Sequence, residues 1–190
     1  MGVKTSESSP IEVGLLEPPS LCGRIGMTFA PGKHQNGKTA VWRRDLDADL
    51  LRLREEFGAN VLVCLLEEHE LTAVGIERLP DAAAQHGIAY WYFPIPDTRV
   101  PSDPQASAHL VSRIHGSLKK GETVVIHCMG GLGRTGTIAA ACLVGLGQTG
   151  EAAIREVRSA RPGAIENLDQ EDFIKAFGEV WRKRDRGTSG

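Results

Sequence analysis

Two rhythms of apolar residues divide the chain. Residues 59–66, 88–93 and 123–126 are nearly unbroken apolar or β-branched runs of strand length. Runs without polar alternation suit strands covered on both faces. Elsewhere the spacing is helical. Leu46, Leu50, Leu53 and Phe57 recur on one face after Asp45, which can cap the first turn, and Gly58 can end it. Further helices are expected from Ser102 or Asp103 to Leu118, over the small-residue run 136–147, and over 151–161 and 168–184, the last two parted by Pro162-Gly163. Ile154, Val157, Phe173, Phe177, Val180 and Trp181 on the final two are expected in the core. Near the start, residues 11–16 and 21–29 are short apolar segments separated by Pro18-Pro19, as in an edge hairpin or two early strands. Residues 30–39 read as a polar, basic loop.

Strands alternating with helices predict a single α/β domain: a central, mostly parallel sheet flanked by helices, with the site on the loops at the carboxyl ends of the strands. Cys64, Asp97 and Cys128 all fall at that edge. The domain is expected over residues 11–184, with a disordered Ser-rich tail at 1–10 and a frayed charged end at 185–190.

Composition narrows the function. At 190 residues and 41% hydrophobic, the chain can build one ordinary core. Its formal charge of −2, with no long basic run, speaks against a nucleic-acid partner and against a membrane surface. The longest apolar run, 138–146, is far short of the ~18–20 residues that span a bilayer. Residues 1–6 fit an N-myristoylation pattern, which a floppy Ser-rich terminus fits as easily. Four scattered cysteines without a disulfide-framework spacing point to a reducing, cytoplasmic setting. The acidic Glu67-Glu68-His69-Glu70 lacks the paired ligands at helical spacing that zinc requires, so it reads as a surface turn and helix cap, and neither metal nor cofactor is expected. Lys33, Lys38, Arg43 and Arg44 read as a solvated face, or as groups that approach the substrate's phosphate or an acidic flank.

The chemistry sits in His127-Cys128-Met129-Gly130-Gly131-Leu132-Gly133-Arg134-Thr135, between the third buried strand and an apolar helix. From Met129 to Gly133 three of five residues are glycine, so the backbone can turn successive N–H groups inward and form an anion nest at a helix N-terminus. A free thiol is mostly protonated at neutral pH, and inward dipoles with a nearby guanidinium favour its thiolate, the nucleophilic form. The same groups suit a phosphate dianion. Arg134 can offer two parallel donors, a geometry that lysine lacks, and the Thr135 hydroxyl can hydrogen-bond the sulfur and assist its departure.

Two other phosphate loops are set aside. Gly131, Gly133 and Gly136 match a dinucleotide fingerprint, but that motif needs a second strand about 20 residues on, ending in an acid, whereas Glu151 opens a helical segment. The nucleoside-triphosphate loop needs Gly-Lys followed by Ser or Thr, and here Arg134 stands in place of the lysine.

The nine-residue segment resembles the signature of cysteine-dependent protein phosphatases, the dual-specificity group in particular. Phe93-Pro94-Ile95-Pro96-Asp97 and Arg161-Pro162-Gly163-Ala164-Ile165-Glu166, with Gln170 following, resemble the general-acid loop and the post-signature segment of the kinase-associated subgroup. Residues 21–32 and 41–45 fit it more loosely. The resemblance implies attack by Cys128 on phosphorus and phosphate binding by the backbone of Met129, Gly130, Gly131, Leu132 and Gly133 with Arg134. It further implies Asp97 as general acid and then base, with Asp103 and Glu166 as fallbacks, water positioned by Glu166 or Gln170, and His127 and Thr135 in support. The expected partner is a phosphorylated protein, a kinase included, and the expected state a monomer. A binding module without turnover, and the same chemistry on a phospholipid, sugar phosphate or RNA end, remain as alternatives. Cys64 is expected either as core packing or as a thiol that bridges to an oxidised Cys128.

Overall fold

The computed structural model describes residues 2–37 and 40–186. Its main sheet has five strands in the order β2-β3-β8-β6-β7: β2 (Gly14–Leu16), β3 (Arg24–Phe29), β8 (Thr123–Cys128), β6 (Ala59–Cys64) and β7 (Ala89–Tyr92). β3, β8, β6 and β7 run parallel, and β2 closes one edge as the antiparallel arm of a hairpin with β3. Every residue of β8 is buried, as its unalternating sequence requires of a central strand. In register, Ile126 lies between Met27 on one side and Val63 on the other.

Among the described residues seven helices flank the strands, four between them and three after β8. α4 (Pro104–Lys119), α5 (Gly133–Gly145), α6 (Gly150–Ala160) and α7 (Leu168–Arg186) pack together and against β2, β3 and β8. α1 (Leu46–Glu55) and α3 (Leu79–Gln85) pack on β6 and β7, and α2 (Glu68–Ala73) follows β6. The caps follow the sequence. Asp45 Oδ1 accepts from Ala48 N at 2.8 Å, and Gly58 after α1 adopts φ 68°, the left-handed stop that glycine takes without strain. Of the two residues able to start α4, Asp103 does so, accepting from Gln105 N at 2.8 Å. Phe177, Ile154 and Val157 are buried, while Phe173, Val180 and Trp181 pack against the core partly covered.

Three expectations change. The loop over 30–39 contains a strand: β4 (His34–Asn36) pairs with β5 (Val41–Arg43) in a second, three-stranded sheet, while Lys38 lies outside the described residues. The start of the chain is built into the fold, because β1 (Val3–Lys4) pairs in parallel with β5. Arg44 supplies the reason. It is 2% exposed, holds Asp49 by two bonds of 2.7 Å, and donates from Nη1 to Ser9 O at 2.7 Å and Thr5 O at 3.3 Å. A buried guanidinium needs acceptors for its five donors, and the N-terminal carbonyls provide them. At the other end α7 continues through Arg186, and the rest of the expected tail, 187–190, lies outside the described residues.

Among the described residues, no helix is long and apolar enough to cross a membrane.

Candidate active site

β8 ends at Cys128, and α5 begins five residues later. The turn between them is forced. Gly131 has φ 69°, and a Cβ there would stand 2.3 Å from the carbonyl of Thr28, so backbone conformation and space both demand glycine. Three loop carbonyls are held by side chains from outside the loop. Met129 O accepts from Lys33 Nζ at 3.1 Å, Gly130 O from Arg161 Nη2 at 3.5 Å, and Gly131 O from Arg161 Nε at 3.3 Å. Among the described residues none of the N–H groups of Met129, Gly130, Gly131 or Leu132 donates to a protein acceptor. Carbonyls out and amides free is the arrangement of an anion nest. Cys128, Met129, Gly130, Arg134, Asp97, Thr98 and Glu166 line a cavity of about 220 Å³ at this point.

Gly130 differs from its neighbour in both respects, having no atom within 4 Å of a built Cβ and no positive φ. Gly131→Ala is therefore expected to lose on the order of 2–5 kcal/mol, combining left-handed strain with overpacking, together with its turnover. Gly130→Ala should melt within a degree or two of the parent. Thermal melts of the two variants check this, and equal melting points would refute the account of the turn.

Arg134 is 2% exposed and organises the site. A guanidinium presents two forks, an end-on pair from Nη1 and Nη2 and a side-on pair from Nε and Nη2. Glu70 takes the end-on fork, with Oε2 2.6 Å from Nη1 and Oε1 2.8 Å from Nη2, and Ile95 O takes the other Nη1 hydrogen at 2.9 Å. The side-on fork faces the cavity, where Asp97 Oδ1 lies 3.0 Å from Nη2. Burial works against the Glu70 charge, but hydrogen bonds from Arg134 and from the Glu67 backbone hold its carboxyl below the usual glutamate range.

Glu70 corrects the reading of the acidic cluster as a surface turn. The cap is present, with Glu70 Oε2 accepting from Glu67 N at 2.9 Å, yet Glu70 is 8% exposed and clamps the site arginine. Its signal in the sequence was position. Glu70 follows β6 at the sheet edge that also carries Cys64 and Cys128. Lys33 and Arg44, read as a solvated face or as groups approaching the substrate, are 4% and 2% exposed, while Arg43 stays at the surface bonded to Asn36.

Asp97 is exposed in the loop after β7 and caps the next amide, Thr98 N, at 3.0 Å. Asn167 reaches from the start of α7 and donates to Thr98 O at 2.9 Å, so the acid loop and the post-signature segment are tied together. Thr98 and Ile165, next to Asp97 and Glu166, are the described non-glycine residues with positive φ, 61° and 62°. Such strain is retained where surrounding structure overdetermines a loop. Asp103 caps α4 and is outside the cavity lining.

Gln170 is fully buried, accepts from Glu166 N at 2.8 Å through Oε1, and has no partner for Nε2 among the described residues. A Cβ built on Gly133 would meet Gln170 Nε2 at 2.8 Å and Glu166 Oε2 at 2.4 Å, so both side chains lie against the phosphate loop. The Thr135 hydroxyl, expected on the Cys128 sulfur, is buried without a partner among the described residues. His127 is fully buried, which lowers its imidazole to about 4, so the ring is neutral and packs in the sheet. Cys64 opposes His127 across β6 and β8, which places its α-carbon about 6 Å from that of Cys128, within disulfide reach. Burial raises its thiol to about 11, and because thiolate is the attacking species this works against rapid bridging. Among the described residues no group of three or more His, Cys, Asp or Glu is placed to hold a metal ion.

Comparisons with known proteins bear on the family and the fold. A structure of the kinase-associated phosphatase KAP, with serine in place of its catalytic cysteine, is 26% identical and superposes with a TM-score of 0.79 over 96% of this chain and 98% of its own. Tk-PTP in its active form is 29% identical, with a TM-score of 0.66 over 85% and 97%. PTPMT1 in complex with PI(5)P, at 18% identity and a TM-score of 0.67 over 85% and 94%, shares the fold. No curated protein matches the chain. The family model described as "Polymorphic toxin system, DSP-PTPase phosphatase" matches residues 36–148, from the small sheet through the acid loop and the whole phosphate loop. With more than half its length so matched, the chain belongs to the DSP-PTPase family and is a cysteine-dependent phosphatase of the dual-specificity class.

Proposed function

We propose that this phosphatase hydrolyses phosphorylated protein side chains, a kinase among the candidate substrates, through a phosphocysteine. The observation that carries the reading is the meeting, in one small cavity, of Cys128, Met129 and Gly130 of the loop, Arg134, and two carboxylates, Asp97 and Glu166. Phosphate oxygens entering the nest compete with Asp97 for Nη2 of Arg134. Substrate binding thereby detaches Asp97 from the guanidinium beside the leaving oxygen. The sulfur attacks phosphorus, the P–O bond to the side chain breaks, and Asp97 delivers its proton to the departing oxygen. The equatorial oxygens carry their greatest charge in the transition state, where the amides and Arg134 stabilise them most. Asp97, now ionised, takes a proton from water as that water attacks phosphorus and the S–P bond breaks. Glu166 and the free Nε2 of Gln170 orient the water, and the unengaged Thr135 hydroxyl is available to the departing sulfur. A non-catalytic phosphoprotein binder would gain nothing from an acid paired with the phosphate-binding arginine.

General-acid help is worth about 10²–10⁴ in rate. Asp97→Asn is therefore expected to lose that much on a phosphopeptide, a poor leaving group, and less than about tenfold on an activated aryl phosphate. Steady-state rates on a series of leaving groups measure the difference. Equal losses across the series would mean that Asp97 acts only by holding Arg134.

A further inference from the structure

A groove of about 390 Å³ opens where α2 and the start of α3 meet the outer edge of the main sheet. It is lined by Leu71 and Thr72, by the rings of Tyr90 and Tyr92 on β7, and by two carboxylates, Glu68 and Glu77. Glu68 and Thr72, four residues apart, share one face of α2, while Glu70 turns the other way to Arg134. The groove and the cavity of Cys128 therefore share no lining residue among those described. The strand beside the groove is unpaired on its outer side. β7 ends the sheet order, and Phe93 N donates to Cys64 O at 3.0 Å and Ile95 N to Leu65 O at 3.1 Å, so this alternate set faces β6. The N–H and C=O groups of Tyr90 and Tyr92 then face outward, where no strand among the described residues meets them. Pro94, the next outward position, has no N–H to leave unpaired and marks where the open edge stops. The two faces of β7 also differ. On one, Trp91 is covered by a cation of the chain itself, with Arg113 Cζ 4.0 Å from its centroid. On the other, Tyr90 and Tyr92 lie 6.4 Å apart at an interplanar angle of 16°, and among the described residues no cation stands over either ring. Tyr92 is 42% exposed. Burial raises its phenol, and the Glu68 charge is the next cause in the same direction. Neither Glu68 nor Glu77 forms an ion pair among the described residues, and Arg78 beside Glu77 is taken by Asp47.

We propose that β7 is a docking edge for a basic, extended segment of a partner protein, which adds to the sheet beside Tyr90 and Tyr92 and lays an arginine side chain over their rings between Glu68 and Glu77. Charge complementarity selects this occupant. A second copy of the same edge would set carboxylates against carboxylates, whereas a guanidinium finds both the aromatic faces and the acids that the groove leaves unmatched. Arginine suits the place better than lysine, because its plane stacks on a ring while its edge pairs with a carboxylate. The main chain of the segment would bond the outward N–H and C=O groups of Tyr90 and Tyr92, as in strand addition. A strand added about 4.8 Å away carries every second side chain on the tyrosine face, within reach of the rings. This surface is independent of the chemistry at Cys128.

The test titrates the full chain, isotopically labelled for amide NMR, with the capped peptide Thr-Val-Thr-Arg-Thr-Val-Thr, whose two valines and arginine share one face when extended. Saturable shifts are expected at the amides of Tyr90, Trp91 and Tyr92 and at Glu68 and Thr72. Citrulline, a neutral isostere, in place of the peptide's arginine should weaken binding about tenfold, the worth of a charge-assisted contact. Glu68→Gln combined with Glu77→Gln should bring the arginine and citrulline peptides close to equal affinity. Tyr92→Ala should weaken the arginine peptide about three- to tenfold. All three substitutions are at exposed positions, and thermal melts like the parent's show that the variants fold. Methylating the peptide nitrogens that face β7 should abolish binding, while methylating the alternate set should be tolerated. Shifts that settle elsewhere on the surface, or no saturation by about 1 mM peptide, would overturn the docking edge. Equal effects of the two methylation patterns would overturn strand addition. Capped free arginine binding as tightly as the peptide would overturn the protein segment as occupant and leave a site for a small organic cation.

Discussion

Cys128→Ser is expected to fold as the parent does, to keep phosphate affinity, and to lose turnover by a factor on the order of 10⁴–10⁶. The fold should persist because serine is nearly isosteric with the cysteine it replaces at the buried end of β8. The related KAP structure carries the same replacement at its catalytic cysteine and retains the architecture. Turnover should collapse because a hydroxyl is far less ionisable than a thiol in the same nest, and because serine is a much poorer leaving group in the second step. Rates on an aryl phosphate and a phosphopeptide, with acid-quench trapping of a phosphoenzyme in the parent, provide the measurement. A variant that keeps a tenth or more of the parent rate would remove Cys128 from the chemistry.

Arg134→Lys should fail almost as badly as Arg134→Ala, each losing about 10²–10⁴ in kcat/KM and lying within about tenfold of the other. The reason is the division of labour between the two forks. One guanidinium holds Glu70 end-on and Ile95 O with Nη1 while its side-on edge faces the cavity. A single ammonium can satisfy Glu70 or the phosphate, but it cannot reach both with paired donors. Stability carries a second signature. Because the Glu70 carboxyl is held below its ordinary value of 4.5, the pair contributes stability above that pH and loses it as pH falls through the lowered folded value. Arg134→Ala should therefore flatten the acid limb of the melting curve in that window. Lysine restoring both rate and affinity to near the parent would show that charge suffices and that the fork geometry is incidental.

These two variants probe different depths of information in the chain. Cys128, the glycine loop and Arg134 are contiguous, so one local pattern of strand, tight turn and helix start discloses them, and the buried run 123–126 discloses their place at a sheet edge. Strands and helices likewise declared themselves by period, since burial on both faces of β8 and β6 removes alternation while one-sided burial of α1 imposes it. Asp97 was legible through its proline-framed loop and its likeness to a known acid loop. Tertiary structure decided the rest. Glu70 lies 64 residues from Arg134, and nothing in an acidic run signals which carboxylate turns inward. That choice is made by β6 delivering α2 to the side of the arginine. The N-terminal segment looked loose because its composition is polar, yet the buried Arg44 required acceptors and found them at Thr5 and Ser9. Lys33 looked solvated for the same reason, until Trp42 and Phe29 enclosed it beside the loop. Local periodicity records which face of a segment is buried. Which distant polar groups must meet to satisfy a buried charge depends on the packing of the whole chain, and only there does this site become complete.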